Sequence, residues 1–569
     1  MNQDALRDLL SGILVEMGVE NPEVQLERPR DPTHGELATN VALTLASTLR
    51  RAPRQIAEDI CSRIPEGVAG IRAVEIAGPG FINFRLSSEA ISSAIVDILQ
   101  KGAEFGRTGQ GNERSVNIEF VSANPTGLLH LGHGRQAALG DAIAALLEWT
   151  GWKVHREFYY NDAGRQIERL AESVRARYEQ HFGRETPIPD DGYHGSIVGE
   201  IAAAFADIEG DRWLDPRESG DEALERMRHF AVERLRAEQD LDLTAFGVHF
   251  DLYFLESSLY EDGRVDDTVE RLRASGHVYE KDGAVWFASS HFGDQKDRVM
   301  IKSDGSATYF LPDVAYHVTK WERGFRDAIN VQGADHHGTV ARVQAGLQAL
   351  GLPEGYPEYI LHQMVTVERE GQEVKFSKRA GDYTTLRDLI EEVGVDVTRY
   401  FFLMRKPEAH LVFDLDQALD QSDKNPVFKS KYAHARMCSI LRKAGTSDTG
   451  IPDPADLALD RLGHPTEREL IRKLEEFPEV VVRAADARAP HLICEYLEQT
   501  SGQVNAWYHA GNPSRDPDLA VLHEDPELRE ARLALTRAVR TVLANALGLL
   551  GLEAPERMVR EPNADEVTE

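Results

Sequence analysis

Residues 115–134 read SVNIEFVSANPTGLLHLGHG. The first half alternates, with Val116, Ile118 and Phe120 on one side and Asn117 and Glu119 on the other, which predicts a strand. The stretch that follows, RQAALGDAIAALLEWTG, has helical character, and WKVHREFYY reads as a second strand. Strand, turn, helix, strand is a βαβ unit, so a parallel nucleotide-binding sheet is the expected architecture. Within the turn, Gly127, Gly132 and Gly134 allow a ligand to approach the backbone, and the helix amino terminus favours phosphate. The spacing places His130 and His133 on one helical face. Taken alone, this histidine pair also suits a surface pair or half of a metal site, although no adjacent Cys, Asp or third His completes one.

Working outward, the pattern is helical from Asp4 to about Arg51 and again from Glu89 to Lys101. Between them AVEIAGPGFINFRLS alternates like strands broken at Gly78-Pro79-Gly80. Residues 1–112 are therefore expected to form an α+β domain, with the Gly-rich stretch GRTGQGNERS as a linker. A Rossmann-type α/β domain is expected over 113–395, interrupted by an insertion at about 165–285 that starts with a charged helical stretch. Strand signals resume in GAVWFASS and AINVQGADHH. Residues 396–569 read as an all-α bundle ending in a short acidic tail.

No run of residues approaches the roughly 18–20 apolar positions of a membrane helix, and MNQDALRDLL lacks a basic leader, so a cytoplasmic protein with no membrane partner is expected. Cys61, Cys438 and Cys494 are far apart, which fits a reduced compartment and no metal cage. The 569 residues carry 95 acids against 64 Lys plus Arg, of which only 14 are Lys. This is no basic nucleic-acid footprint and argues against a DNA partner, yet a local Arg/Lys patch can still bind a polyanion. One such patch is Lys375-Phe376-Ser377-Lys378-Arg379-Ala380-Gly381. Two lysines in a glycine-ended loop suit a pyrophosphate whose charge grows as a phosphoanhydride breaks, though a solvated basic turn has the same composition.

In this order, the two motifs resemble the HIGH and KMSKS signatures of the class I aminoacyl-tRNA synthetases. The blocks EFVSANPTGLLHLGHGR, YYNDAGRQI, TYFLPDVAYH, VQGADHHGTVARVQAGLQALG, KFSKRAGDYTTLRDLIEEVG, NPVFKSKYAHARMCSILRKA and GLLGLEAPERM narrow the resemblance to the bacterial arginyl-tRNA synthetase family. That resemblance implies a monomeric arginine-tRNA ligase that uses ATP and Mg²⁺, acts on L-arginine and tRNA(Arg), needs tRNA for activation and lacks an editing domain. It implies catalytic roles for His130, His133, Lys375 and Lys378, and ATP contacts at Gly132, Gly134, Gly333, Asp335, His336 and Ser377. Arginine would be bound by Glu119, Asn124, Tyr309 and Asp313, with the acids facing the guanidinium or α-ammonium, as a planar permanent cation requires. The tRNA would meet Phe81 and Asn83 at its D-loop, and Tyr432, Tyr508 and Met558 at its anticodon loop, where rings and a thioether can pack on splayed bases.

Four features depart from the family pattern. Phe376 replaces a methionine, Leu311-Pro312 precedes Asp313, Lys429-Ser430-Lys431 is a candidate phosphate contact, and VREPNADEVTE extends past Met558 as an acidic tail expected to be disordered. Two alternatives stay open at this level: a non-catalytic tRNA-binding paralogue, and a class I enzyme for another substrate.

Overall fold

The computed structural model describes residues 3–558 except 28, 30–33, 66–67, 163, 216–219, 306–307, 309, 376–382, 446–452 and 454–455. Near the amino terminus β1 (Leu37–Thr39), β2 (Ile71–Ala77) and β3 (Phe81–Leu86) form an antiparallel sheet ordered β1-β3-β2. Helices Gln3–Glu16 and Pro53–Arg63 close its core over Leu6, Leu10, Ile56, Ile60, Ile82 and Phe84. Gly80, in the β2–β3 turn, has φ +147°, and a Cβ there would lie 2.9 Å from the Pro53 carbonyl carbon. The helical pattern expected from Asp4 to about Arg51 is corrected by an intervening strand. The stretch holds three helices, Gln3–Glu16, Val41–Thr44 and Ala46–Leu49, with β1 between the first two. Pro22 and Pro29 lack the N–H that a continuing helix would need.

The central sheet contains β4 (Ser115–Glu119), β5 (Lys153–Tyr160) and β6 (Leu252–Leu255). A separate antiparallel sheet follows in the chain: β7 (Val278–Lys281), β8 (Ala284–Phe287) and β9 (Arg298–Ile301). Then β10 (Asp327–Gly333) and β11 (Glu358–His362) complete an all-parallel sheet ordered β11-β10-β4-β5-β6. Helix Leu131–Trp149 makes the β4–β5 crossover. Because β4 is central and covered on both faces, its polar residues do not reach solvent: Asn117 and Glu119 are buried with Val116 and Ile118. Buried polar groups must be paired. Asn117 Nδ2 donates to Glu157 Oε2 at 2.9 Å, and Glu157 also accepts from Tyr316 Oη and the Arg323 fork, all at 2.8 Å.

Helices Arg165–His181, Ser196–Glu209 and Asp221–Ala245 form a block with its own core, including Leu170, Val174, Phe205 and Met227. β6 falls inside the span expected as one insertion, yet pairs in parallel with β5, so it belongs to the main sheet. The helical block and the β7–β9 sheet are therefore two excursions on either side of it. A third small sheet, β12 (Val365–Arg369), β13 (Gln372–Glu373) and β14 (Leu411–Asp414), is ordered β13-β12-β14. Its β14 lies in the segment expected to be wholly helical, because its alternating Leu411 and Phe413 bury against the catalytic core.

The carboxyl-terminal helices Pro426–Lys443, Pro465–Glu475, Phe477–Asp486, His491–Ala510 and Pro526–Leu549 share one apolar core with the central sheet. Asn545 Nδ2 donates to Gly102 O and Phe105 O at 3.1 and 3.0 Å, tying this bundle to the segment that leaves the amino-terminal domain. Among the described residues no helix is long and apolar enough to cross a membrane.

Candidate active site

His130 is the residue before helix Leu131–Trp149, with φ −89° and ψ 175°, so the expectation of two histidines on one helical face is corrected. Their geometry is reciprocal capping. His133 N donates to His130 Nδ1 at 3.3 Å, and His130 N donates to His133 Nδ1 at 3.4 Å. The rings stack with centroids 3.6 Å apart and planes 13° from parallel. Both Nδ1 atoms accept, so the proton of each neutral ring sits on Nε2. Burial, with His130, His362 and His336 nearby, holds the His133 imidazole well below its usual range, and desolvation moves His130 the same way. The turn therefore presents two neutral Nε2–H donors. Gly132 lies under the His130 ring, where a Cβ would come within 2.9 Å of it. At Gly134 the atoms a Cβ would meet are Leu386 at 2.7 Å and Phe402 at 2.9 Å, so the lack of a side chain admits protein packing there.

Lys375 is exposed just beyond β13, whereas Ser377 and Lys378 lie outside the described residues. The segment leaving the second signature nevertheless docks on the first. Leu386 N donates to Leu129 O at 2.8 Å, Tyr383 Oη donates to Leu128 O at 3.2 Å, and Thr385 forms a β-bridge with His130. Gly333 ends β10 in register with His362 on β11, and an Ala334–His336 turn carries exposed Asp335 and His336 with their side chains 3.6 Å apart. All these groups sit at the carboxyl ends of the parallel strands, where open α/β sheets bind ligands.

Beside them is a cavity of about 280 Å³ lined by Glu119, Asn124 and Asp313, with His336 among its walls. Tyr309 lies outside the described residues. Asp313 occupies the first turn of helix Phe310–Glu322. Pro312 is accommodated there because that turn's N–H groups have no intrahelical partner. Sequence reasoning missed Glu256, Tyr159 and Lys320. Glu256 starts the helix directly after β6, much as Glu119 ends β4, and assigning that stretch to an insertion hid it. Lys320 lies two helical turns after Asp313, so helical spacing in TYFLPDVAYHVTK could have found it.

The three acids are not equivalent. Lys320, fully buried, places Nζ 2.6 Å from Glu119 Oε2 and 3.1 Å from Asn330 Oδ1. Asn330 Nδ2 donates to the same Glu119 oxygen at 2.7 Å, and Ser122 Oγ donates to Glu119 Oε1 at 3.0 Å. Glu119 is thus neutralised from within the protein. Glu256 accepts from Tyr159 Oη at 2.9 Å, but burial dominates and pushes its carboxyl up to about 7. Burial, then Glu256 and Glu119, push the Asp313 carboxyl up to about 8 despite Arg342 and Lys320. Among the described residues neither Glu256 nor Asp313 forms an ion pair, although Arg342 also lines the cavity.

The expected tRNA contacts are dispersed. Phe81 is 40% exposed at the start of β3, whereas Asn83 is only 5% exposed and so turns little polar surface outward. In the bundle, Tyr508 is 38% exposed with the Arg436 guanidinium 4.4 Å over its ring, and Arg436 also bonds Asn505. Half-buried Tyr432 sits one turn before Arg436 on the packed neighbouring helix. Arg436 was not anticipated. The expected phosphate contact at Lys429-Ser430-Lys431 is reduced, because Lys431 pairs with Asp396 and buried Ser430 bonds Pro426 O and Ser501. Met558 is the last described residue, and the acidic tail lies beyond it.

A parallel sheet whose strand ends gather a HLGH turn, the docked segment that follows the second signature and an amino-acid-sized acidic cavity defines a class I aminoacyl-tRNA synthetase. Residues 3–86 match the arginyl tRNA synthetase N terminal domain, 94–416 the class I (R) tRNA synthetase catalytic domain, and 430–558 the DALR anticodon binding domain. Arginine–tRNA ligase of Geotalea daltonii is 51% identical over 95% of this chain and 96% of its own. That of Thiobacillus denitrificans is 50% identical over 98% and 99%. The Thermus thermophilus arginyl-tRNA synthetase structure aligns with TM-score 0.74 at 27% identity, covering 98% of this chain and 100% of that one. The chain belongs to the arginyl-tRNA synthetase family.

Proposed function

We propose the following division of labour as this chain attaches arginine to tRNA. The observation that carries it is the Glu256–Asp313 pair, an unneutralised acidic wall in a cavity beside the signature turn. A guanidinium supplies the missing charge and parallel N–H donors. Glu119, already paired with Lys320, takes the α-ammonium together with Asn124, and Tyr309 walls the side-chain slot. A lysine-sized rival leaves an acid unpaired.

The arginine carboxylate attacks the α-phosphorus of ATP, the bond to the β-phosphate oxygen breaks, and pyrophosphate leaves with that oxygen's electron pair. The 2′-OH of the terminal adenosine of tRNA(Arg) then attacks the adenylate carbonyl and releases AMP. His130 and His133 donate Nε2–H bonds to the nucleotide, and Gly132, Gly333, Asp335 and His336 form its bed. Lys375, Ser377 and Lys378 balance the pyrophosphate charge, an effect that grows in the transition state. Mg²⁺, when bound, supplies further charge neutralisation on the phosphates. Among the described residues no three His, Cys, Asp or Glu side chains gather into a metal site. Phe81, Asn83, Tyr432, Tyr508 and Met558 position the tRNA, and the enzyme works as a cytoplasmic monomer.

Charging assays with tRNA, ATP and Mg²⁺ across an amino-acid panel test this reading, with His130→Ala and Lys378→Ala beside the parent. Arginine alone should be attached, and both variants should lose about 100-fold or more in kcat. Attachment of a different amino acid, or full activity in both variants, sinks it.

A pH dependence follows from the acid pair. Both carboxyls are raised in the free protein, so below pH 7 both are largely protonated, and between 7 and 8 Asp313 still is. A bound cation favours their ionised forms, so binding releases protons and arginine affinity rises with pH. The rise is at most about tenfold per pH unit for each protonated group, and it levels off above pH 8. Titration calorimetry in two buffers of different ionisation enthalpy measures the released protons. A Kd flat from pH 6 to 8 would remove these acids from the arginine site.

A further inference from the structure

Helix Asp221–Ala245 belongs to the helical insertion, yet its last turns reach the catalytic cleft. Buried Gln239 donates from Nε2 to Asn124 O at 3.1 Å and Gly127 O at 2.9 Å, the two ends of the turn that leads into His130. One residue away, Glu238 and Asp242, a turn apart, grip Arg387. Its Nε donates to Asp242 Oδ1, and its Nη2 to Glu238 Oε2 at 3.0 Å and Glu238 O at 3.3 Å. Arg387 is the second residue of helix Leu386–Val393, which leaves the second signature. A single helix therefore holds the backbone entering the first signature and the helix leaving the second. The same helix is itself fixed to the sheet, with Arg236 4.6 Å over the Tyr160 ring and Asp240 accepting from Tyr253 Oη at 2.5 Å.

We infer that helix Asp221–Ala245 is a strut that sets the turn entering the first signature against the helix leaving the second, with Gln239 and Arg387 as positioning residues for the ATP reaction. The inference rests on the reading that ATP reacts between those segments. Direct contacts at Leu129–Leu386 and Leu128–Tyr383 and the His130–Thr385 bridge already join the segments, and the strut adds a tie through a different element. In-line attack tolerates little misplacement, and an error of about 1 Å costs on the order of 100-fold in rate. The insertion is thereby part of the catalytic frame.

The test uses the full-length protein and measures kcat, KM for ATP and for arginine, the melting temperature, and arginine binding without ATP. Gln239→Met keeps the length and burial of the side chain and removes both donated bonds. Arg387→Gln removes the charge, and Arg387→Lys keeps it. Gln239→Met and Arg387→Gln should each lower kcat about 10- to 100-fold. In Arg387→Gln, ATP-free arginine binding should stay within about threefold of the parent, and Arg387→Lys should recover part of the rate. The double variant should lose less than the product of the single losses, because both ends act through one helix. Parent-like kcat in the single variants, losses that track only the folded fraction, or losses that multiply in the double variant overturn the strut. If His130→Ala and Lys378→Ala also keep their activity, it is the assignment of the signature segments that fails instead.

Discussion

Asp313→Asn is expected to lower kcat/KM for arginine by about 2–5 kcal/mol, or roughly 30- to 5,000-fold, the range for truncating one member of a desolvated charge pair. The substitution keeps the shape of the side chain and one acceptor oxygen. It removes the charge and turns an NH₂ group toward guanidinium N–H groups, which are also donors. Glu256 remains, but a single acid cannot complete the acidic wall.

Stability should move the other way. The Asp313 carboxyl sits at about 8 in the folded protein against an ordinary value near 3.8, so its ionisation disfavours the folded state progressively from about pH 4 to pH 8. Removing it should leave the melting temperature of the free protein at pH 8 unchanged or raised. Steady-state charging and thermal melts on one preparation separate the two effects. A variant that charges arginine within about threefold of the parent places the guanidinium elsewhere in the cavity.

The asymmetry between Glu119 and Asp313 also shows where the sequence was legible. The HLGH turn, the strand SVNIEFVS and the bundle helices could be read because local period and turn chemistry decide them, and tertiary packing agrees. Glu119 was reached through the family resemblance, since its alternation alone marks only the polar side of a strand, and its neutralisation by Lys320 was not legible at all. That pairing joins β4 to a helix two hundred residues later, and only the covered central sheet makes it necessary. Glu256 was lost for another reason: one short strand, LYFL, lay between a helical block and a small antiparallel sheet, and its four residues carry too little period to outweigh their surroundings. The histidines were assigned correctly as a pair and wrongly as a helical face, because His130 is a cap and caps are fixed by a single dihedral rather than by a pattern. The packing of Leu386 over Gly134 was not legible either, since what a glycine makes room for cannot be read in one dimension.

Lys320→Met carries the second large expectation, a loss of about 3–5 kcal/mol in the stability of the sheet domain. Its Nζ is wholly buried, and it is the cation nearest Glu119. Methionine fills similar volume, so the cost comes from taking the cation away from the buried Glu119, which among the described residues keeps Asn330 and Ser122 as donors. Breaking a buried pair costs more than replacing it whole, so adding Glu119→Gln should recover most of the loss in urea unfolding. Arginine supplies a further discrimination. With Lys320 gone, the bound α-ammonium becomes the main counter-ion for Glu119, so saturating arginine should raise the variant's unfolding midpoint more than the parent's. Ligand that binds only the folded state stabilises it in proportion to the logarithm of its affinity. Equal midpoints for parent and variant without ligand would mean that the Lys320–Glu119 pair does not stabilise the sheet domain, and the counter-ion role assigned to Glu119 at the α-ammonium site would go with it.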